Sequence, residues 1–155
     1  MTDNVTPITI KRREERFKLG IVGWGFVGQA VDYAFSTDSV DKFIVDPKYN
    51  NNTLADLVDW SPNTVFICAP TPSKDDGSVD VSIIRETVAT LLAGCQAFIV
   101  IKSTMTPDTI QELCAHDSRI VYNPEFLTEA NSKNDFVHSR FNLMGVTDQG
   151  ASSFL

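Results

Sequence analysis

Short apolar runs that alternate with helical patterns along almost the whole chain constrain its fold more than any other feature. The runs are rich in Val, Ile and Phe and are continuously apolar, which is typical of strands that are covered on both faces of a sheet. Strands that alternate with helices predict an α/β fold with a doubly wound parallel sheet. We expect strands at Phe17–Gly23, Lys42–Asp46, Thr64–Cys68, Ala97–Ile101, Arg119–Tyr122 and Asn142–Val146. Helices are expected at Phe26–Phe35, Leu54–Trp60 and Val81–Leu92, and another from Pro107.

The first strand leads directly into a glycine-rich turn, Gly23-Trp24-Gly25-Phe26-Val27-Gly28, which opens the next helix. In a G-x-G-x-x-G turn, the first glycine permits the tight bend, the second lets backbone N–H groups approach a pyrophosphate, and the third lets the helix pack closely on the strand. The helix N-terminus adds partial positive charge. Asp46 ends the next strand, 18 residues after Gly28, where a carboxylate accepts hydrogen bonds from adenosine ribose hydroxyls. We therefore predict a dinucleotide-binding, Rossmann-type sheet with strand order 3-2-1-4-5-6.

The carboxylate of Asp46 also indicates which dinucleotide would bind. It would repel the 2′-phosphate of NADP, and no arginine follows it directly in the sequence. Lys48 would partly offset this repulsion. The sequence therefore favours NAD over NADP.

Three further polar segments follow predicted strands. In an open parallel α/β sheet, ligands bind outside the carboxyl ends of the strands, so these segments are expected at one binding edge. A purely structural turn is an equally good interpretation of Ser103 and Thr104, because Ser and Thr are common in turns. The segments are Ala69-Pro70-Thr71-Pro72, Lys102-Ser103-Thr104 and Asn123–Glu129.

The charge distribution argues against nucleic acid as a partner. The formal net charge is −7, and the basic residues are concentrated near the N-terminus. Binding to nucleic acid needs clustered Lys and Arg that neutralise phosphates. We expect residues 1–16 to form a basic, flexible tail and residues 17–155 to form the nucleotide-binding domain.

The apolar runs and the cysteines argue against a membrane protein, a secreted protein and a metal-binding protein. No apolar run is long enough for a membrane span or a secretory signal. Cys68, Cys95 and Cys114 are widely spaced, and neither they nor His116 and His138 form a pattern of metal ligands. We therefore expect no metal site, no disulfide framework and a cytoplasmic location.

The segments that follow the glycine turn carry a more specific signal. They read VFICAPTPSKDDGSVDVS (Val65–Ser82), IKSTMTPDT (Ile101–Thr109) and YNPEFLTEANSKNDF (Tyr122–Phe136). They closely resemble three consecutive motifs of the UDP-glucose/GDP-mannose dehydrogenase family, in the family's order and at similar spacing. The resemblance extends from about Lys18 to Val146. That family oxidises the C6 hydroxyl of a nucleotide sugar to a carboxylate in two NAD-dependent steps.

The resemblance implies NAD as the cofactor and gives roles to the matching residues. Thr71, Ser103 and Thr104 would line the pyrophosphate and the nicotinamide ribose, and Glu129 would lie near the nicotinamide. The whole implied cofactor set is Gly23, Trp24, Gly25, Phe26, Val27, Gly28, Asp46, Lys48, Ala69, Pro70, Thr71, Ser103, Thr104 and Glu129.

The resemblance also implies a nucleotide-sugar substrate. Thr104 and Glu125 would lie beside the reacting carbon, where they would position a water molecule or accept a proton. Phe126 and Leu127 would offer backbone groups to the sugar nucleotide, next to Glu125.

The chain departs from that family in its length. Family members continue through a central helix into a second domain, which binds the sugar nucleotide and supplies the cysteine nucleophile of the acid-forming step. None of the three cysteines here is expected to replace that nucleophile, because each lies in an apolar strand or near a helix end. We expect the chain to act with a C-terminal half or a partner chain, and not to oxidise UDP-glucose alone.

Two alternatives stay open at this point. One is a stand-alone NAD-binding module without turnover, and the other is a related hydroxyacid dehydrogenase, whose characteristic lysine would also lie on a later helix. The sequence identifies neither the nucleotide sugar nor the oligomeric state, and a homodimer stays open too.

Overall fold

A computed structural model describes residues 15–147 of the chain. Almost all of the tail expected at residues 1–16 therefore lies outside the described residues. No helix in the described part is both long and apolar enough to cross a membrane.

The core of residues 15–147 is one sheet of five strands, and every neighbouring pair is parallel. This confirms the predicted α/β architecture with a Rossmann-like parallel sheet. Each of the first five predicted strands is present, with ends shifted by one or two residues. The strands are β1 (Phe17–Val22), β2 (Val40–Val45), β3 (Thr64–Ile67), β4 (Phe98–Ile101) and β5 (Ile120–Tyr122).

The predicted strand order is wrong: the sheet runs β2-β1-β3-β4-β5 instead of 3-2-1-4-5-6. β3 pairs with β1, so that Val65 lies opposite Gly20, and not with β2. Burial explains the arrangement. Three of the four residues of β3 are buried, which suits a central strand, whereas β2 contains Asp41 and Lys42 and buries only Val45, which suits an edge.

The prediction of a sixth strand at Asn142–Val146 is also wrong. In place of a strand, the described part of the chain has an isolated antiparallel bridge there, between Gly145 and Tyr122. Leu143 and Met144 are 55% and 42% exposed. Side chains this exposed gain little packing from a partner strand, so cross-strand contacts give a longer ladder little stability here.

Helices cover both faces of the sheet. Leu19, Ile21 and Phe66 pack with α1 and α5 on one face of the sheet. On the other face, sheet residues such as Val65 and Ile99 pack against Leu57 of α2, Ile84 of α3 and Leu113 of α4. The helices are α1 (Phe26–Ala34), α2 (Leu54–Trp60), α3 (Ser82–Gly94), α4 (Pro107–His116) and α5 (Ser132–Val137), with a 3-10 turn at Glu129–Asn131.

The strand order fixes where a ligand would lie. The chain moves outward from β1 to β2 and then crosses back to β3, so the switch point lies between the carboxyl ends of β1 and β3. Ligands of doubly wound sheets bind at such a switch point. The glycine turn after β1 and the segment after β3 meet there.

Candidate dinucleotide-binding site

The glycine turn packs directly against the backbone that follows β3. Gly23 has a φ of +88°, in the left-handed region that favours glycine. A Cβ atom at this position would lie 2.7 Å from the carbonyl oxygen of Cys68 and 2.8 Å from the nitrogen of Ala69. Only glycine therefore allows this turn to close on the switch point.

The other two glycines have different surroundings. A Cβ on Gly28 would collide with the carbonyl oxygen of Gly23, so Gly28 is required for the close packing of α1 on the turn. Nothing lies within 4 Å of the place where a Cβ on Gly25 would be. Gly25 is the N-cap of α1 and has no side chain with which to cap the first N–H groups of the helix. Open space in front of an uncapped helix start fits a phosphate group.

Asp46 is tied to the glycine turn by hydrogen bonds. Its Oδ2 accepts from the backbone N–H of Trp24 at 2.7 Å, and its Oδ1 accepts from the N–H of Lys48 at 2.8 Å. The N–H of Gly23 also donates to the carbonyl of Val45 at 2.9 Å. Each carboxylate oxygen can accept more than one hydrogen bond, so Asp46 retains capacity for ribose hydroxyls.

An aromatic pair lies beside Asp46. The ring centroids of Trp24 and Tyr49 are 3.6 Å apart with an interplanar angle of 69°. Tyr49 follows β2 and is 62% exposed, and its N–H donates to the carbonyl of Asp46 at 2.9 Å. Sequence reasoning missed Tyr49, because a tyrosine two residues after a proline has no distinguishing pattern. An exposed aromatic face next to a carboxylate suits a planar base.

Hydroxyl groups connect the loops after β3 and β4. Ser103 is 7% exposed, and its Oγ donates to the carbonyl of Ala69 at 2.7 Å. Thr71 donates from Oγ1 to the carbonyl of Thr104 at 2.9 Å. Pro70 and Thr104 are exposed at this edge. The two loops therefore form one connected wall, with Thr104 at its surface.

The segment after β5 carries the remaining predicted residues. Glu125 is half-buried, and its Oε2 accepts from the N–H of Leu127 at 2.7 Å. Phe126 is 60% exposed, and its ring centroid lies 5.1 Å from that of Phe141.

Glu129 is exposed at the start of the 3-10 turn. It lines a groove of about 600 Å³ together with Phe26 and Gln29 of α1 and with residues of α5. This segment thus reaches the helix that the glycine turn opens.

A buried cation lies beneath this surface. Lys102 is only 4% exposed, and its Nζ donates to the carbonyl oxygen of Asn123 at 3.1 Å and to Oδ1 of the same residue at 2.9 Å. Burial lowers the pKa of Lys102, while Cys68 and Glu125 oppose that shift. Burial raises the pKa of the Cys68 thiol to about 12, so this sulfur is protonated at neutral pH.

The structure therefore brings the predicted segments together along one edge. The turn at Gly23 contacts the backbone at Ala69, Ser103 bonds to Ala69, and Lys102 bonds to Asn123. Lys48 is exposed at the outer end of the same edge, beyond Asp46.

Comparison with known proteins identifies a family for this chain. The model of the UDP-glucose/GDP-mannose dehydrogenase family, NAD binding domain, matches residues 57–155. The chain is 31% identical over 99 residues to the UDP-glucose 6-dehydrogenase of Rickettsia bellii, which covers 59% of this chain and 23% of that protein. It is 27% identical over 167 aligned positions to the UDP-glucose 6-dehydrogenase AglM of Haloferax volcanii, which covers 77% of this chain and 39% of that protein. The chain thus spans less than half the length of these curated relatives.

Solved structures show the same fold. The UDP-glucose dehydrogenase of Pyrobaculum islandicum superimposes with a TM-score of 0.68 at 22% identity, over 94% of this chain and 44% of that one. The GDP-mannose dehydrogenase of Pseudomonas aeruginosa superimposes with a TM-score of 0.65 at 18% identity, over 87% of this chain and 42% of that one. The family match covers more than half of the chain and confirms the resemblance seen in its motifs. The chain therefore belongs to the UDP-glucose/GDP-mannose dehydrogenase family, of which it carries the NAD-binding domain.

Proposed function

We propose that this protein takes part in the NAD-dependent oxidation of the C6 hydroxyl of a nucleotide sugar, as a UDP-glucose 6-dehydrogenase-like enzyme. The observation that carries the proposal is the convergence of the glycine turn, Asp46 and three polar segments on the switch-point edge of the sheet. The names of the relatives, which are UDP-glucose 6-dehydrogenases, support the substrate class.

The adenosine half of NAD is assigned to the outer end of this edge. Asp46 would accept hydrogen bonds from the ribose hydroxyls, and the exposed ring of Tyr49, backed by Trp24, would cover one face of the adenine. The backbone N–H groups that follow Gly25 would bind the pyrophosphate at the start of α1. Lys48 would lie near the ribose.

The chemistry is assigned to the loops after β4 and β5. NAD, when bound, supplies the acceptor for the hydride. Glu125 holds one carboxylate oxygen on the N–H of Leu127, and the other oxygen would take up a proton or orient a water molecule. Thr104 would position that water from the opposite loop. The backbone around Phe126 and Leu127 would contact the sugar nucleotide, and Glu129 would lie near the nicotinamide.

The proposal includes a partner region and a compartment. The relatives continue well beyond the segment they share with this chain, and we assign the nucleotide-sugar pocket and the acid-forming step to a region of that kind. Cys68, Cys95 and Cys114 are free thiols, which supports a reducing cytoplasm.

Titration calorimetry of the 155-residue chain tests the cofactor assignment. NAD should bind at least about tenfold more tightly than NADP, because Asp46 repels a 2′-phosphate. Gly25→Ala should lose NAD binding while its thermal unfolding midpoint stays within about 3 °C of the unaltered chain, since the added methyl group enters open space. Equal affinity for the two cofactors, or full NAD affinity in the variant, would contradict the assignment.

The chemical assignment is tested in the longest product of the gene that encodes this chain. Glu125→Gln should lower kcat for NADH formation from UDP-glucose by about 10²- to 10⁴-fold, with the affinity for NAD unchanged. Glu112→Gln is the matched control, because Glu112 is exposed on α4 and binds Arg85 away from the site. Unchanged turnover in Glu125→Gln would remove Glu125 from the chemistry.

A further inference from the structure

We propose that Lys102 is a positioning residue, whose buried ammonium group binds both oxygens of Asn123 and thereby fixes the loop that carries Glu125 relative to the loop that carries Thr104. The importance of this geometry for turnover rests on the proposed function. The link itself is a property of the chain and can be tested without any assumption about the reaction.

Asn123 is held from several sides. Its side-chain Oδ1 and its carbonyl oxygen both accept from Nζ of Lys102, at 2.9 and 3.1 Å. Its Nδ2 donates to the carbonyl of Leu143 at 2.8 Å, and its N–H donates to the carbonyl of Ile101 at 2.9 Å. Asn123 is itself 7% exposed. If the ammonium group were removed, the bond from the N–H of Asn123 to Ile101 would be the one hydrogen bond among residues 15–147 that still joins the start of this loop to β4.

The positions of the two residues make the link effective. Lys102 is the first residue after β4 and precedes Ser103 and Thr104 directly. Asn123 is the first residue after β5 and lies two residues before Glu125. One pair of short hydrogen bonds therefore sets the spacing between the two loops that carry the proposed chemistry.

The burial of Lys102 argues for a role beyond packing. An ammonium group that leaves water loses strong hydration, so buried lysines are rare unless they have good partners. The partners here are the two oxygens of Asn123 and the ring of Phe136, whose centroid lies 5.2 Å from Nζ. An apolar side chain of similar length would fill the same space without that loss of hydration.

A second lysine provides a matched control. Lys18 donates from Nζ to the carbonyl of Trp60 at 2.8 Å, and its Nζ lies 5.2 Å from the centroid of the Trp60 indole. Like Lys102, Lys18 combines a hydrogen bond to a backbone carbonyl with an aromatic ring 5.2 Å from Nζ, but it is half-buried and has one oxygen partner instead of two. Lys18, however, lies near the start of β1, at the amino ends of the strands, whereas the site lies at their carboxyl ends.

The experiment compares Lys102→Met with Lys18→Met in the 155-residue chain. Amide hydrogen exchange followed by NMR is the first measurement. In Lys102→Met, the N–H groups of Asn123 and Leu127 should exchange at least about tenfold faster, because two charge-assisted hydrogen bonds that hold the loop are lost. The N–H of Gln29 in α1 should not change, and Lys18→Met should leave all three rates unchanged.

Ligand affinity is the second measurement, and it separates positioning from general damage. NADH reaches the loops after β4 and β5 in the proposed function, whereas ADP occupies only the outer end. Lys102→Met should weaken NADH binding at least about fivefold and reduce the fluorescence of bound NADH, with ADP affinity changed less than about twofold. Lys102→Arg keeps the charge and should recover most of the NADH affinity, although its planar group fits the site less well.

The outcomes are distinct. Equal weakening of NADH and ADP in Lys102→Met, or loop exchange no faster than in Lys18→Met, would overturn the positioning role. If Lys102→Met does not fold, Asn123→Ala is the second variant: it removes Oδ1 and Nδ2 but keeps the carbonyl oxygen that also accepts from Lys102. The N–H of Leu127 should then exchange faster than in the unaltered chain, and an unchanged rate would overturn the positioning role. Failure of the unaltered chain to bind ADP or NADH would refute the proposed function, while the exchange measurement would still decide the role of Lys102.

Discussion

Replacement of Asp46 by alanine is expected to destabilise the protein even when no cofactor is present. The carboxylate accepts from the N–H of Trp24 at 2.7 Å and from the N–H of Lys48 at 2.8 Å, so it holds the glycine turn to the end of β2. In the alanine variant, the partly buried N–H of Trp24 would lose its acceptor.

The size of the effect follows from these two bonds. A hydrogen bond to a charged acceptor contributes about 1.5–3 kcal/mol to stability. Loss of the bond from Trp24 should cost nearly the whole of this free energy, because its N–H is partly buried. Water can replace most of the bond from Lys48, which is exposed. Asp46→Ala should therefore lose about 2–3 kcal/mol of unfolding free energy, which lowers the melting temperature of a domain of this size by about 4–12 °C.

Thermal unfolding followed by circular dichroism measures this change, and calorimetry well below each midpoint measures the cofactor preference. Asp46→Asn keeps one side-chain oxygen for the N–H of Trp24 and should lose less than half as much stability. It should still narrow the gap between NAD and NADP, because the negative charge is gone. Asp59→Asn, an exposed residue near the end of α2, controls for the change in net charge.

A melting temperature of Asp46→Ala within about 2 °C of the unaltered chain would refute the structural role of the carboxylate. A constant ratio of NAD to NADP affinity across both variants would refute its role in selecting the cofactor.

Three further outcomes are expected. Gly28→Ala, unlike Gly25→Ala, should unfold at a clearly lower temperature, because its Cβ would meet the backbone oxygen of Gly23; calorimetric melting of both variants checks this contrast. Cys68 should react with iodoacetamide at pH 8 at least about tenfold more slowly in the folded chain than in urea, because burial raises the pKa of its thiol to about 12 and leaves little thiolate; equal rates, read by mass spectrometry, would contradict the raised pKa. Burial lowers the pKa of Lys102 below its ordinary value of 10.5. At pH values between the lowered pKa and 10.5, the unfolded chain binds a proton that the folded chain has lost, so the free energy of unfolding should rise with pH. Lys102→Met should remove that contribution, which urea melts at pH 7 and pH 10 compare with the unaltered chain.

The elements of the fold could be predicted because their signals are local. The predicted helix Leu54–Trp60 matches the observed bounds, and Pro107 begins α4 as expected. The glycine turn was predicted from spacing alone, and the contacts of Gly23 and Gly28 give each residue the packing role that its position indicates.

The order of the strands could not be predicted in the same way. It depends on which side of β1 receives β3, and that choice reflects a competition for the central position between the apolar β3 and the charged β2. The error at Asn142–Val146 has a related cause. Leu143 and Met144 are apolar but stay exposed in the structure, and whether other elements bury an apolar run is not visible in the run itself.

The site was predicted in part for the same reason. Asp46 and the loops at Thr71, Thr104 and Glu125 follow strands and so could be placed at one edge. Tyr49 and the bonds between Lys102 and Asn123 depend on contacts between distant segments, which no sequence pattern records.

The position of β2 at the edge of the sheet has a consequence for solubility. An edge strand presents carbonyl groups that a second sheet could pair with, and exposed edges promote aggregation. In this chain, side chains occupy some of those groups: Arg16 donates to the carbonyl of Val40 at 3.2 Å, and the amides of Asn50 and Asn52 donate to the carbonyl of Ile44 at 3.0 and 2.8 Å. The asparagine-rich loop that leads away from the cofactor edge therefore also shields the rim of the sheet from self-association.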